Sequence, residues 1–170
     1  MCEIKTKNDA AIYILSELYD GNDIKSFEGE KNIKIMKLIY LVYLKFIQRC
    51  DAYRIPDNSP MRTFKFYAWD YGGVERDIYE NIGYIRSQVL ERLKSKQTLN
   101  AINYGFSQDE LENITEAIRD VKRFVCKTSE MLVELVHRLP EWGKTPKSKL
   151  MLFANGFEEE INALSLVGNQ

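Results

Sequence analysis

The hydrophobic pattern of the chain is that of a helical protein. In several segments apolar residues recur at steps of three and four, the period of one helix face, and no proline interrupts these segments. The pattern predicts a first helix from about Asp9 to Tyr19, with Asp9 as its N-cap. Gly21 is predicted to take the left-handed conformation that closes this helix.

A second helix is predicted over roughly residues 32–49, and it is apolar around most of its circumference. At about 100° per residue its polar side chains gather in a narrow stripe, together with Leu41. We call this the lysine stripe; its polar members are Lys31, Lys34, Lys37, Lys45 and Gln48. A helix that is apolar on several sides packs on several sides, so we expect it to be central in the fold. The lysine stripe is then expected to face solvent or a partner.

The segment after the second helix changes character. Residues 50–62 are predicted to form a loop, and the aromatic-rich segment 63–69 is typical of a short strand. Gly72 and Gly73 are predicted to end this strand. A third helical region is expected to start near Val74, where Gly83 is a candidate interruption because glycine weakens a helix interior.

Three further segments complete the predicted fold. The capping box Ser107–Glu110 predicts the start of a fourth helix, and a fifth is expected to begin near Thr128 or Ser129. The last is an amphipathic segment that carries Phe153, Phe157, Ile161 and Leu164. No linker of proline, glycine and serine divides the chain. We therefore predict a mainly α fold, with residues 1–170 as a single-domain bundle of about six helices and one short β-strand or hairpin near residues 63–70.

Composition narrows the class of function. The 170 residues are 45% hydrophobic and 29% charged, with a formal net charge of −1, which disfavours a general nucleic-acid-binding protein. Residues 31–66 nevertheless hold eight Lys or Arg against two Asp, so a local basic surface stays open. The opening residues lack the apolar core of a signal peptide, and no stretch is apolar enough to span a membrane. We expect a soluble, cytoplasmic protein that does not bind membranes.

Neither metal chemistry nor catalysis is indicated by the residue types. Cys2, Cys50 and Cys126 form no CxxC pair, and with His137 as the single histidine we expect no metal site, no cofactor and no disulfide. His137 falls in the last turn of a predicted helix, where it can cap carbonyl groups, so we expect no catalytic residue and no enzyme. One acidic group is expected to be solvated surface: Asp109, Glu110, Glu112, Glu116 and Asp120.

Three segments, in order, resemble the Panacea antitoxin domain, also described as the SocA-like or phage-associated GepA-type domain. Residues 34–40 (KIMKLIY) are similar to the family's KLQKLLY helix. Residues 68–74 (AWDYGGV), followed by Ile78-Tyr79, are similar to its AWxYGPV segment. Residues 132–137 (LVELVH), with Trp142 following, are similar to its LxxLTH…W ending. The resemblance covers roughly residues 9–142.

The resemblance implies an antitoxin that binds a protein toxin encoded by a neighbouring gene. The family generally neutralises by direct protein contact, and some members instead deliver the toxin to a protease. The alternative function is a nucleic-acid-binding regulator that uses the basic region 31–66. The sequence does not identify the toxin or predict an oligomeric state.

The residues of the three segments fall into two groups. Lys34, Lys37 and Tyr71 are the candidate partner-binding residues, because cations and aromatic anchors recur at protein interfaces. For the two lysines, a purely solvated helix edge is an equal alternative. The other motif residues are expected to be structural: Tyr40, Trp69, Gly72, Tyr79, His137 and Trp142.

Overall fold

The computed structural model describes residues 3–21, 23–50, 55–69 and 72–138. In these ranges seven α-helices accompany one two-stranded antiparallel hairpin, which confirms the mainly α fold. None of the helices in the described ranges is long and apolar enough to cross a membrane. The elements are α1 (Glu3–Leu18), α2 (Ile24–Glu28), α3 (Asn32–Arg49), β1 (Phe66–Trp69), β2 (Gly72–Glu75), α4 (Arg76–Glu80), α5 (Ile82–Ser95), α6 (Leu111–Lys122) and α7 (Ser129–His137).

The first helix starts earlier than predicted, at Glu3 instead of Asp9. Asp9 is not an N-cap: it lies inside α1, where its carboxylate is 3.0 Å from Lys5 Nζ one turn earlier. Such an ion pair between residues four apart stabilises the first turns of α1. These turns are polar, so the apolar periodicity that predicted the helix did not include them. Gly21 has a φ of +81°, as predicted for the end of this helix. The short helix α2 was not predicted, and the side chain of Asp23 caps its N-terminus.

The second predicted helix is confirmed as α3, and it is central in the fold. It packs against α1, α6, α7 and β2. Its apolar residues from Ile35 to Ile47 are all buried except Tyr43, which is half-buried. The apolar circumference of this helix is therefore covered on several sides, as the pattern indicated.

The hairpin begins later than the aromatic segment and includes both glycines. Thr63 belongs to a 3₁₀ turn, and the first strand starts at Phe66. Gly72 and Gly73 do not end the strand region: they open β2, where Gly72 pairs with Trp69. Phe66 is buried against Tyr40 of α3, with 4.9 Å between ring centroids. This contact anchors the hairpin to the central helix.

The third predicted helical region is two helices. Val74 lies in β2, and the break comes at Asn81 between α4 and α5. The Asn81 side-chain amide donates to the carbonyl of Asp77 at 2.8 Å, which satisfies a carbonyl at the end of α4. Gly83 lies within α5 and does not interrupt it. The predicted apolar stripe is buried or partly buried: Ile78, Ile82, Ile85, Val89 and Leu93.

The starts of the last two described helices agree with the sequence. The capping box at Ser107 and Glu110 is formed and leads through a short 3₁₀ turn into α6. The hydroxyl of Thr128 accepts a hydrogen bond from the backbone N–H of Met131 and caps α7. The amphipathic segment predicted near the C-terminus lies outside the described residues.

Candidate functional site

The three segments that resemble the antitoxin domain lie next to one another in the fold. The central helix α3 contacts both β2 and α7, and α7 also contacts β2. Lys37 Nζ on α3 donates a hydrogen bond of 2.9 Å to the carbonyl oxygen of Gly73 in β2. A buried hydrogen bond therefore joins the first segment directly to the second.

Lys37 has an unusual environment for a lysine. Its side chain lies in the core and is only 1% exposed. Burial removes water from the ammonium group and lowers the pKa of Lys37 to about 7. In the described part of the chain, no carboxylate forms an ion pair with Lys37 to offset this effect. Burial thus disfavours the protonated form of Lys37.

Lys34 is also buried, but it has a carboxylate partner. Its Nζ lies 2.6 Å from Glu30 Oε2 and donates to the carbonyl oxygen of Val125, also at 2.6 Å. Glu30 in turn accepts a hydrogen bond from the hydroxyl of Tyr19 at the end of α1. This network links α1, α3 and the segment between α6 and α7.

The prediction that the lysine stripe faces solvent or a partner is wrong for most of its members. Lys34, Lys37, Lys45 and Leu41 are buried, and only Lys31 is exposed. The helical wheel places these residues on one side of α3 but does not reveal what packs there. Because α6, α7 and β2 cover α3, the lysines end inside the protein. Neither ammonium group of the two candidate partner-binding lysines offers a surface cation.

The other motif residues have mixed positions. Tyr40 is buried, and Trp69 is half-buried with its ring 5.4 Å from that of Tyr79 in a T-shaped arrangement. Tyr79 itself is exposed, so it presents an aromatic ring beside the hairpin. Tyr71 and Trp142 lie outside the described residues, and the interpretation of Tyr71 as a partner anchor stays a prediction.

A groove of about 440 Å³ lies between the start of α3 and α7. We call it the α3–α7 groove. Ile33 from α3 and Val133 from α7 are its apolar lining residues, and His137 lines its end. Two ion pairs stand beside them: Lys31 with Glu130 at 3.2 Å, and Arg138 with Glu134 at 2.8 Å. The groove thus combines residues of the third segment with the turn of α3 that precedes the first segment.

A second buried charge cluster joins α1 to the hairpin, and sequence reasoning missed it. Lys7 Nζ lies 2.8 Å from Glu75 Oε2 and 2.5 Å from Asp77 Oδ2. Burial acts to lower the pKa of Lys7, but the hydrogen bonds to Asp77 and Glu75 outweigh it and raise the pKa. Lys7 precedes the buried Ile14 by seven residues and therefore lies on the same face of α1. This spacing is the sequence feature that could have indicated the burial of Lys7.

The acidic group of α6 and of the 3₁₀ turn before it is only partly a solvated surface. Glu110 is buried, where it accepts hydrogen bonds from the Ser59 hydroxyl and from the backbone N–H of Ser107. The expectation of a solvated residue is wrong here, because the capping box turns the carboxylate inward. Glu116 and Asp120 form ion pairs with Arg49 of α3. Over the described ranges, no group of three or more His, Cys, Asp or Glu side chains could hold a metal ion.

Comparison of the chain with models of protein families, with curated proteins and with solved structures returns no match. The resemblance to the Panacea antitoxin domain therefore depends on the three segments alone, and the family assignment stays a prediction.

Proposed function

We propose that this chain is an antitoxin-type module that binds a cognate protein toxin, the product of a neighbouring gene. Neutralisation takes place by direct complex formation or by delivery of the toxin to a protease. The observation that carries the proposal is that the three segments similar to the antitoxin domain are far apart in the sequence but pack against one another in the fold. The hydrogen bond from Lys37 to Gly73 and the contacts of α7 with α3 and β2 support it.

The α3–α7 groove is the surface that best fits a protein partner. Interface anchors are apolar or aromatic side chains that enter a pocket surrounded by polar residues. Ile33 and Val133 provide the apolar contact, and Met131 adds an exposed apolar side chain on the same helix. We infer that an apolar side chain of the toxin occupies the groove, within reach of the ion pairs beside it.

The contacts of the basic region do not favour the alternative of a nucleic-acid-binding regulator. Lys34, Lys37 and Lys45 are buried, so they cannot neutralise phosphates at the surface. Arg49 is committed to carboxylates of α6, and Lys65 lies 3.7 Å from a carboxylate oxygen of Glu3. Of the seven Lys or Arg of this region that the structure describes, three are buried, so the basic excess of the sequence overstates the basic surface.

The decisive experiment is co-expression with the product of the adjacent reading frame. We expect this chain to restore growth in cells that express the neighbouring protein, and the two proteins to co-purify. Failure of both with the true neighbour would contradict the proposal. Salt-dependent binding of duplex DNA without such a complex would favour the alternative instead.

A variant pair tests the groove itself. Val133→Lys places a charge among the apolar lining residues and should weaken the complex at least about 10-fold, or about 1.4 kcal/mol. Ile102→Lys is the matched control, because Ile102 is an exposed apolar residue that does not line the groove. Circular dichroism must show both variants folded. Unchanged affinity of a folded Val133→Lys variant would place the interface elsewhere, with Tyr71 the next residue to test.

A further inference from the structure

A second cleft, with a volume of about 430 Å³, lies between the ends of α1 and α5. It shares no lining residue with the α3–α7 groove. Its size is in the range of about 300–1,000 Å³ that is usual for small-molecule sites. Ile24, Leu93 and Leu99 provide the apolar side chains of its lining. The other lining residues are polar, apart from Gly21. The cleft is therefore suited in size and composition to a small amphipathic molecule.

The polar lining carries both signs of charge. Glu17 and Asp20 come from the end of α1, whereas Arg92 and Lys96 come from the end of α5. In the part of the chain that the structure describes, no ion pair joins these two sets. Arg92 instead donates a long hydrogen bond, 3.3 Å, to Gln97. Opposite charges that line one cleft without pairing leave room for a ligand that carries both charges.

Two buried polar groups of the cleft residues lack hydrogen-bond partners among the described residues. The hydroxyl of Ser16 is one, on a side chain that is only 3% exposed. The Nε of Arg92 is the other. Buried polar groups are almost always hydrogen-bonded, so two such exceptions at one cleft point to an interaction that a ligand completes.

The backbone at this cleft is also unusual. Lys96 has a φ of +55°, and in the described ranges it is the one residue other than glycine with a positive φ. This conformation makes Lys96 the C-cap of α5, where its backbone N–H donates to the carbonyl oxygen of Arg92. In addition, burial and then the charge of Asp20 raise the pKa of Glu17 above its ordinary value, and they outweigh the opposite effect of Lys122. Both effects disfavour the ionised carboxylate of Glu17, and a cationic group bound beside it would compensate for them.

We propose that this cleft binds a small zwitterion of the amino-acid type, with its carboxylate on Arg92 and its ammonium group beside Glu17 and Asp20. A neutral aliphatic side chain packs against Leu93 and Leu99. The site is independent of the proposed toxin interface, so either proposal stands if the other fails.

Calorimetric titration of the full chain with L-leucine tests the site. The matched probes are 4-methylpentanoate, which lacks the ammonium group, and 3-methylbutylamine, which lacks the carboxylate. We expect leucine to bind and each matched probe to bind at least about 10-fold more weakly. Equal binding of leucine and either probe would overturn the zwitterion assignment. No binding of leucine, isoleucine, valine or methionine at about 10 mM would overturn the site itself.

Substitutions locate the site. Arg92→Gln and Asp20→Asn should each weaken leucine binding at least about 10-fold, because each removes one charge-assisted contact. Lys94→Gln is the control, since Lys94 is an exposed cation on the same helix that does not line the cleft. An equal loss in Lys94→Gln would refute the assignment to this cleft. If Arg92→Gln does not fold, the variant at the exposed Asp20 decides the question.

Discussion

The stability of this protein should depend on pH through Lys37. Burial lowers the pKa of Lys37 in the folded chain to about 7, whereas in the unfolded chain it returns to its ordinary value of 10.5. Between these two pH values the unfolded chain binds more protons than the folded chain. The free energy of unfolding therefore rises as the pH increases through this window, and the Lys37 penalty is complete below it.

The size of this effect follows from the two pKa values. At about 1.36 kcal/mol per pH unit, protonation of Lys37 costs the folded state about 5 kcal/mol across the window. Lys37→Met keeps an unbranched side chain without charge and so removes this cost. The variant also leaves the buried carbonyl of Gly73 without its donor, which costs about 1–3 kcal/mol. We expect Lys37→Met to be about 2–4 kcal/mol more stable than wild type at low pH and about 1–3 kcal/mol less stable near pH 10.5.

Urea unfolding of both proteins from pH 6 to about pH 10.5, followed by circular dichroism, measures this crossover. The difference between the two curves isolates Lys37, because other shifted groups titrate in both proteins. These include Lys45, whose pKa burial lowers, and Cys50, whose pKa burial raises. Lys94→Met, at an exposed position, should run parallel to wild type. A stability difference between Lys37→Met and wild type that does not vary with pH would refute the reasoning.

Three further substitutions test the packing of the fold by urea unfolding. Leu38→Ala should cost about 2–5 kcal/mol, because the side chain is fully buried on α3, and a neutral result would contradict that burial. Lys7→Ala should cost about 3–5 kcal/mol, since it leaves Glu75 buried without its ion pair; a cost below about 1 kcal/mol would mean that water reaches Glu75. Glu110→Ala should cost about 1.5–3 kcal/mol by removing the acceptor of the Ser59 hydroxyl and the Ser107 N–H, and an unchanged midpoint would argue against the capping box.

The elements that sequence analysis predicted well have local signals. The limits of α3 were predicted because its apolar residues are continuous and polar segments flank it. The starts of α6 and α7 were predicted because a capping residue acts on backbone groups only two or three positions away. In each case the physical cause lies within a few residues of the element it determines.

The features that sequence analysis missed depend on residues far apart in the chain. Whether Lys37 is buried depends on the carbonyl of Gly73, and whether Lys7 is buried depends on Glu75. A helical wheel reports the direction of a side chain but not the acceptor that meets it. The α3–α7 groove also depends on residues far apart in the chain. Neither Ile33 nor Val133 indicates a groove by itself, because the groove forms only where the two helices pack together.

The burial of Lys34 and Lys37 changes what their place in the family-like segment means. Lys34 donates a hydrogen bond to the carbonyl oxygen of Val125, just before α7, and Lys37 donates one to the carbonyl oxygen of Gly73 in the hairpin. The first segment thus positions the two elements that carry the other segments, which is a folding role and not a contact with a partner. Reversing the charge of both lysines to Glu should therefore unfold the chain, because it buries two carboxylates beside carbonyl oxygens. Loss of toxin binding in such a variant would report loss of the fold, and residues that line the α3–α7 groove are the ones whose substitution can report on binding alone.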